Sequence, residues 1–335
     1  MSALSVTIRS CSVTMPAELA TALIVAGPTA SGKSALALVI AQRLGGTIVN
    51  ADSMQVYREL RILTARPTPQ EEALAPHALY GVRPAAEPGS AGWWRTAALE
   101  AMQAARKAGR MPILCGGTGL YLTALTEGLA EIPDPGPLAR AEARTLLAEL
   151  GSRALHERLA VVDPDTAARL RPTDAQRIAR AWEVWRGTGR GLAAWHTEPV
   201  MRPAGWRFAA LLLAPPRPAL RAAIAARFEA MLAAGALAEV RALLSLRLDP
   251  SLPAMRAQGV PELAAHLRGE LSLAEAAERA VLATGRYAKR QATWFRHHKL
   301  APEGPAHTIY ARIAGLEQFS ERNVAEIFDF IRSAG

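Results

Sequence analysis

Residues 27 to 34 read Gly-Pro-Thr-Ala-Ser-Gly-Lys-Ser and fit the spacing G-x-x-x-x-G-K-[ST]. In such a segment Gly27 and Gly32 let the backbone fold so that N–H groups point at an anion, while Pro28, Thr29, Ala30 and Ser31 form the rim. Lys33 adds a point charge for the terminal phosphates, and Ser34 offers a hydroxyl to Mg²⁺. The partial positive charge of a helix N-terminus adds to both. The spacing predicts a phosphate cradle without saying which phosphate it holds. An ATPase or GTPase normally places an acid at the end of a later apolar strand to hold Mg²⁺. Here the next apolar run with that character ends in Cys115-Gly116-Gly117-Thr118 instead. The acid comes earlier, at Asp52. A carboxylate there is suited to take a proton from an acceptor nucleophile, with a turn or helix-cap role as the alternative.

These residues must be held by an alternation of strands and helices. Residues 22–26 (ALIVA), 47–50 (TIVN) and 111–115 (MPILC) read as buried strands. Residues 34–44 and 93–108 read as helices between them, which predicts an α/β fold with a parallel sheet. After Gly128 a breaker-rich linker, Ile132 to Pro137, leads into an Arg-rich stretch of purely helical pattern. Residues 206–213 (WRFAALLL) return to strand character. Helices are expected over 218–235, 271–298 and 315–333, with a last strand at 307–311. The expected organisation is an N-terminal extension (1–20), a core built from 21–130 and 204–335, and a helical insertion over 131–203.

The chain has 335 residues, half of them hydrophobic, with 39 Lys and Arg against 30 Asp and Glu, a net charge of +9. That excludes a disordered chain and predicts an acidic partner: nucleic acid, an anionic surface or phosphorylated substrates. Two cysteines, Cys11 and Cys115, are too few for a disulfide scaffold or a Cys-rich zinc site and suit a reducing, cytoplasmic setting. No apolar run reaches the ~18 residues that a membrane span needs, and the first twenty residues show no secretory pattern. Two helices concentrate the basic charge. After Pro172, Gln176, Arg177 and Arg180 share one side of a helix and Ile178, Trp182 and Trp185 another. Near the C-terminus, Arg286, Lys289, Arg290, Thr293, Arg296 and His297 fall on one face by the same spacing.

Taken in order, GPTASGKS (27–34), DSMQVY (52–57), GGTGLY (116–121), DAQRIARA (174–181) and AKRQATWFR (288–296) closely resemble the tRNA dimethylallyltransferase family, the bacterial-type tRNA isopentenyltransferases. The resemblance covers residues 21 to 300. It implies a P-loop NTPase-like parallel sheet flanked by helices, with an inserted helical domain. It also implies a donor, dimethylallyl diphosphate, whose diphosphate occupies the cradle in place of ATP. The acceptor would be the exocyclic amine of the adenosine 3′ to the tRNA anticodon. Asp52 would be the general base, and Thr118 would lie close to the target base. Lys33, Arg227 and Mg²⁺ at Ser34 would stabilise the leaving diphosphate. The implied tRNA contacts are Asp52, Ser53, Met54, Gln55, Thr118, Arg140, Gln176, Arg177, Arg180, Lys289, Arg290, Gln291, Thr293, Trp294 and Arg296. The insertion would clasp the anticodon stem-loop, and the enzyme would work as a monomer away from membranes.

The chain departs from the family pattern twice. Gly259-Val260-Pro261 lacks an aromatic that usually follows the glycine, and Thr284-Gly285-Arg286 carries its arginine one position late. Three rival readings follow from the cradle: a prenyltransferase of free adenine nucleotides, a P-loop kinase of a small metabolite, and a non-catalytic RNA-binding protein. The long insertion and the basic C-terminal helix weigh against the first, the missing late acid against the second, and Asp52 with Thr118 against the third.

Overall fold

The computed structural model describes residues 20–198, 200, 205–313 and 321–334. The expected extension, apart from Ala20, lies outside the described residues, as do Cys11 and positions 315–320 of the expected last helix. Contacts divide the chain into two units, Met1–Thr126 with Pro203–Gly335, and Glu127–Arg202.

The first unit carries six strands. They are β1 (Ala20–Ala26), β2 (Gly46–Asn50), β3 (His77–Ala78), β4 (Met111–Gly116), β5 (Trp206–Leu213) and β6 (Ala306–Ile309), in the spatial order β3-β2-β4-β1-β5-β6. Every pairing is parallel, with Val25 beside Cys115 on one flank of β1 and beside Leu211 on the other. β1 and β4 are neighbours, yet the chain leaves β1 toward β2 and leaves β4 toward β5. Ligands of open α/β sheets bind beyond the carboxyl ends of strands at such a reversal.

Because successive side chains of a strand point to opposite faces, the central strands supply two cores. Leu23, Val25, Ile113, Cys115, Leu211 and Leu213 pack against α1 (Lys33–Leu44), joined there by Phe328 and Ile331 near the C-terminus. Ile24, Ala26, Leu114, Phe208 and Ala210 face the opposite side. That side holds α3 (Ala91–Lys107) and α4 (Gly119–Thr126), whereas the short α2 (Pro69–Leu74) contacts α1 on the other face. Trp94 of α3 is fully buried, donates to the Asn50 carbonyl at 2.8 Å and stacks on Tyr121 at 4.5 Å. It thereby ties α3 and α4 to the end of β2, where Asp52 follows.

The second unit is helical: α5 (Gly136–Val162), α6 (Pro164–Ala167), α7 (Ala175–Thr188) and α8 (Leu192–Trp195). α5 breaks its helical geometry at Gly151. Ala143, Leu155, Leu159, Ile178 and Trp182 form its core, as the apolar side read for the helix after Pro172 requires. Asp163 is buried and accepts the Thr166 and Leu192 amides at 3.3 and 3.1 Å, capping α6 and anchoring α8.

The first unit resumes with α9 (Arg217–Ala233), α10 (Ala236–Ser245), α11 (Val260–Leu267), α12 (Leu273–His297) and, last, α13 (Glu321–Ala334). α12 opens on a capping box between Ser272 and Glu275. α9 and α12 pack against each other and meet the cradle through Ile224, Ala288 and Ala30.

Candidate active site

Residues Gly27–Gly32 turn between β1 and α1, at the reversal point of the sheet. Gly32 takes a left-handed conformation (φ 95°) and caps α1, so the helix begins at Lys33. Lys33 is buried and its Nζ donates weakly to the Pro28 carbonyl at 3.4 Å. Burial pulls the Lys33 pKa down, Asp52 and Cys115 push it back up, and Arg227 lowers it again. The ammonium is therefore a dehydrated cation facing one carboxylate and one guanidinium, a poor resting state without an anion. Cys115, at the end of β4, is a buried thiol pushed up to about 11 by burial, and it lies beside Ser34. Burial keeps it protonated at neutral pH, which makes it a weak nucleophile.

Asp52 is held by a buried asparagine. Asn50 accepts the Asp52 amide at 2.8 Å and donates to the Asp52 and Leu79 carbonyls, both at 3.0 Å. The Asp52 Oδ1 accepts the Met54 amide at 2.9 Å. Asp52 thus closes a turn, one of the two roles its type allows, and the same turn aims its carboxylate into a cleft. That cleft is lined by Thr29, Ala30, Asp52, Met54, Arg227 and Tyr287, with Leu63, Ile224, Phe228, Met231 and Ala257 as an apolar wall. It contains about 620 Å³ of atom-free space, its open mouth included.

Thr118 bridges the ends of β4 and β2. Its amide donates to the Ala51 carbonyl at 3.2 Å, and its Oγ1 accepts the Ser53 amide at 2.9 Å. From the other side, α12 presents Tyr287, Gln291 and Trp294, spaced four and three residues apart on one face. The buried Gln291 carboxamide accepts the Thr29 amide at 2.8 Å and donates to the Gly117 carbonyl at 2.9 Å. A Cβ on Gly117 would lie 2.3 Å from the Gln291 amide nitrogen. Gly117 and Gly119 therefore serve close packing of α12, with the Trp294 ring over Gly119, while Gly116 lets the chain pass the Ala51 backbone. Tyr287 sets its hydroxyl within reach of Thr118 and Gln291, and burial followed by the charge of Asp52 pushes its pKa up. Tyr287 is a cleft residue absent from the sequence-based selection. Its spacing of four from Gln291 was the available signal.

Arg227 lines the same cleft from α9. Burial lowers its pKa, Asp52 raises it and Arg312 lowers it. Among the described residues no carboxylate comes within ion-pair distance of it. A second unanticipated residue, Glu239, accepts the amides of Arg61, Ile62 and Leu63 at 2.7, 2.7 and 2.9 Å, fixing the loop that supplies Leu63 and Thr64 to the cleft. An acid eight residues past Met231 on a different helix carries no local pattern for that role.

The remaining expected RNA contacts divide. Lys289, Arg290, Thr293 and Arg296, with Arg286 and His297, are exposed along the outer face of α12, and Trp294 is half-buried. Two selected residues need correction. Gln291 points inward as described, and Gln55 is buried with its amide nitrogen on the Thr64 and Ala65 carbonyls, both at 2.9 Å. Both side chains hold loops together, so neither offers a surface to RNA. Ser53 and Met54 are half-buried beside Asp52. In the second unit Gln176 and Arg177 are exposed and Arg140 and Arg180 half-exposed. Each of these arginines is ion-paired: Arg140 to Asp134, Arg177 to Asp174 at 3.5 Å, Arg180 to Glu183 at 3.2 Å.

Among the described residues no three His, Cys, Asp or Glu side chains cluster as a metal site. Ser34 is exposed at the first turn of α1. A single hard oxygen beside a phosphate cradle suits Mg²⁺, which keeps waters and takes most other ligands from a bound phosphate. No helix among the described residues is long and apolar enough to cross a membrane.

Comparisons with known proteins agree over most of the chain. The IPP transferase family matches residues 55–298, and the isopentenyl transferase family matches residues 20–75. A tRNA dimethylallyltransferase of Granulibacter bethesdensis is 63% identical over 312 residues, 93% of this chain and 98% of that protein. One from Acidiphilium cryptum is 62% identical over 323 residues, 96% of this chain and 97% of the relative. Among solved structures, the full-length tRNA isopentenylpyrophosphate transferase of Bacillus halodurans superposes with a TM-score of 0.65 at 28% identity, covering 95% of this chain and 97% of that one. A eukaryotic dimethylallyltransferase acting on tRNA gives 0.76 at 25% identity, covering 94% and 80% respectively.

Proposed function

Since the chain belongs to the IPP transferase family, we propose that it transfers a dimethylallyl group from dimethylallyl diphosphate to the exocyclic amine of an adenosine in tRNA, releasing diphosphate. The observation that carries this reading is the meeting of three features at one cleft. A phosphate cradle, a carboxylate held by Asn50 and an apolar wall converge there, while β4 ends in Cys115-Gly116 with no acid. A five-carbon prenyl tail fits against Leu63, Ile224, Phe228 and Met231.

The adenine amine attacks the first carbon of the dimethylallyl group as the bond from that carbon to the diphosphate oxygen breaks. Asp52 accepts the proton the amine loses, its orientation set by the Met54 amide and by Asn50. The diphosphate leaves with its electron pair, and Lys33, the loop amides and Arg227 stabilise the charge that develops. Lys33 is already buried and Arg227 partly so, which limits the reorganisation the stabilisation needs. Thr118 stands between Ser53 and Tyr287 at the adenine end. Ser34 would hold Mg²⁺, which when bound supplies further charge neutralisation to the diphosphate.

A target base must leave its stack to reach such a cleft. The adenosine 3′ to the anticodon lies in an unpaired loop, where that costs least. The anticodon stem-loop as the docking partner, and action as a cytoplasmic monomer, rest on the family resemblance. Incubation with dimethylallyl diphosphate, Mg²⁺ and unmodified tRNA, followed by nucleoside mass spectrometry, tests the reading. The expected product is N6-dimethylallyladenosine in tRNA. Prenylation of free AMP alone, or ATP-dependent phosphorylation of a metabolite, would overturn it.

A further inference from the structure

The segment that follows β6 crosses the phosphate cradle. The Ile313 amide donates to the Ser31 carbonyl at 3.0 Å. The approach is so close that a Cβ on Gly32 would lie 1.8 Å from the Ile313 carbonyl oxygen. Beside it, the Arg312 Nε donates to the Ala30 carbonyl at 3.1 Å. Ala30 is a non-glycine residue in the left-handed region (φ 63°), a conformation that costs energy unless its surroundings hold it. The C-terminal segment is one of the things holding it.

Arg312 does more than brace the loop. Its guanidinium and that of Arg227 line one open depression whose floor is α9 alanine: Ala219, Ala222, Ala223 and Ala226. The small side chains leave the surface of α9 open beside the two cations. They are close enough that the charge of Arg312 disfavours that of Arg227. Among the described residues no carboxylate forms an ion pair with either. Arg312 spends one of its five N–H donors on Ala30, which aligns the plane of the guanidinium and leaves the terminal nitrogens for another acceptor. Two like charges side by side at the rim of a phosphate cradle are unfavourable until an anion joins them. Arginine pairs are suited to bridging phosphoryl oxygens by forked hydrogen bonds.

We propose that Arg312 is a second arginine of the diphosphate site, contacting the diphosphate together with Arg227 and the 27–34 loop. The inference rests on the donor reading above. It also assigns a part of the active site to a residue beyond the stretch that carries the family resemblance. By this account the C-terminal strand is needed to complete the site as well as the sheet.

The test is titration of inorganic diphosphate into the full-length protein by calorimetry at two salt concentrations. Arg312→Gln keeps an N–H donor for Ala30 but loses the charge. It is expected to weaken diphosphate binding about tenfold, the loss of one charge-assisted contact, and to flatten its salt dependence. Arg312→Lys keeps the charge without the fork and is expected to fall between the two. The tRNA affinity of both variants stays within twofold of wild type. An Arg312→Gln protein with diphosphate affinity within twofold of wild type and an unchanged salt dependence would overturn the proposal. If Arg312→Gln loosens the fold, seen as a lowered melting temperature without ligand, the Arg312→Lys titration decides alone: wild-type affinity there overturns it. Wild-type protein that binds diphosphate but makes no prenyladenosine would remove the reaction and leave Arg312 in place. Prenyl product from wild type, alongside an indifferent Arg312→Gln, would do the reverse.

Discussion

α7 and α12 read alike as sequences: each alternates an apolar side with a basic side at helical spacing. In the structure they differ in what their cations face. On α7, Arg177 pairs with Asp174 at 3.5 Å and Arg180 with Glu183 at 3.2 Å. On α12, Lys289, Arg290 and Arg296 are exposed and, among the described residues, form no ion pair. A phosphate reaching α12 meets free charge. One reaching α7 must compete with carboxylates already in place, and such exposed pairs contribute less than about 1 kcal/mol. The helices differ again on their inner sides. α7 buries Ile178 and Trp182 in an apolar core, whereas α12 sends Tyr287 and Gln291 to the reaction cleft and its loops. Helical spacing reports which residues share a face but is silent on what that face meets.

The largest effect should come from neither helix. Asp52→Ala is expected to lower the transfer rate about 10²- to 10⁴-fold while tRNA affinity stays within a few-fold. Single-turnover kinetics with filter-binding measures both. Near-normal turnover would end the general-base role, and the inactive variant supplies a background in which binding by the two helices can be compared without reaction.

Next comes Gln291→Ala, which separates the two faces of α12. It leaves the Thr29 amide and the Gly117 carbonyl unpaired in a buried site, a loss of about 1–3 kcal/mol. The expected result is a roughly tenfold or greater fall in kcat/KM for dimethylallyl diphosphate, with tRNA affinity unchanged. Loss of tRNA binding with intact donor kinetics would return Gln291 to the RNA surface.

The double substitution Lys289→Ala with Arg290→Ala should weaken tRNA binding about tenfold. It should also reduce the salt slope by 1 to 2, as removal of two phosphate contacts requires. The same experiment on Arg177→Ala with Arg180→Ala should show the smallest change, about threefold or less, since each removed charge also frees its carboxylate. Equal losses on the two helices would abolish the distinction drawn between them.

Much of the core was legible before any coordinates. β5 spans the predicted residues 206–213, and α1, α3, α9 and α12 begin within two residues of their expected starts. Each of these segments has an unbroken apolar run or a sustained helical period. The short elements were not legible. β3 has two residues and α2 six, too few for any period to register, and both form where Thr68 caps α2 and the Ile48 amide donates to the Pro76 carbonyl. α10 and α11 lie in an Ala- and Leu-rich stretch where composition allows helix everywhere and marks no boundary. Within the site, the cradle and Asp52 could be read because they are local: a loop, a helix start, the end of a strand. Glu239 could not, because it holds a loop 176 residues or more away.

Sequence alone determined the chemistry available: a phosphate loop at 27–34, a carboxylate at Asp52, no acid after β4, and an excess of basic charge on two helices. Those features are encoded within a few residues of chain, where backbone geometry leaves little choice. Tertiary structure decided which of the polar residues face substrate. Gln55 and Gln291 turned inward because buried backbone N–H and C=O groups need partners, and only a long-range fold creates that need. Arg227, Tyr287 and Arg312 came to the cradle from three separate elements. Their proximity depends on how α9, α12 and the segment after β6 are brought to the ends of the central strands, which no local pattern records.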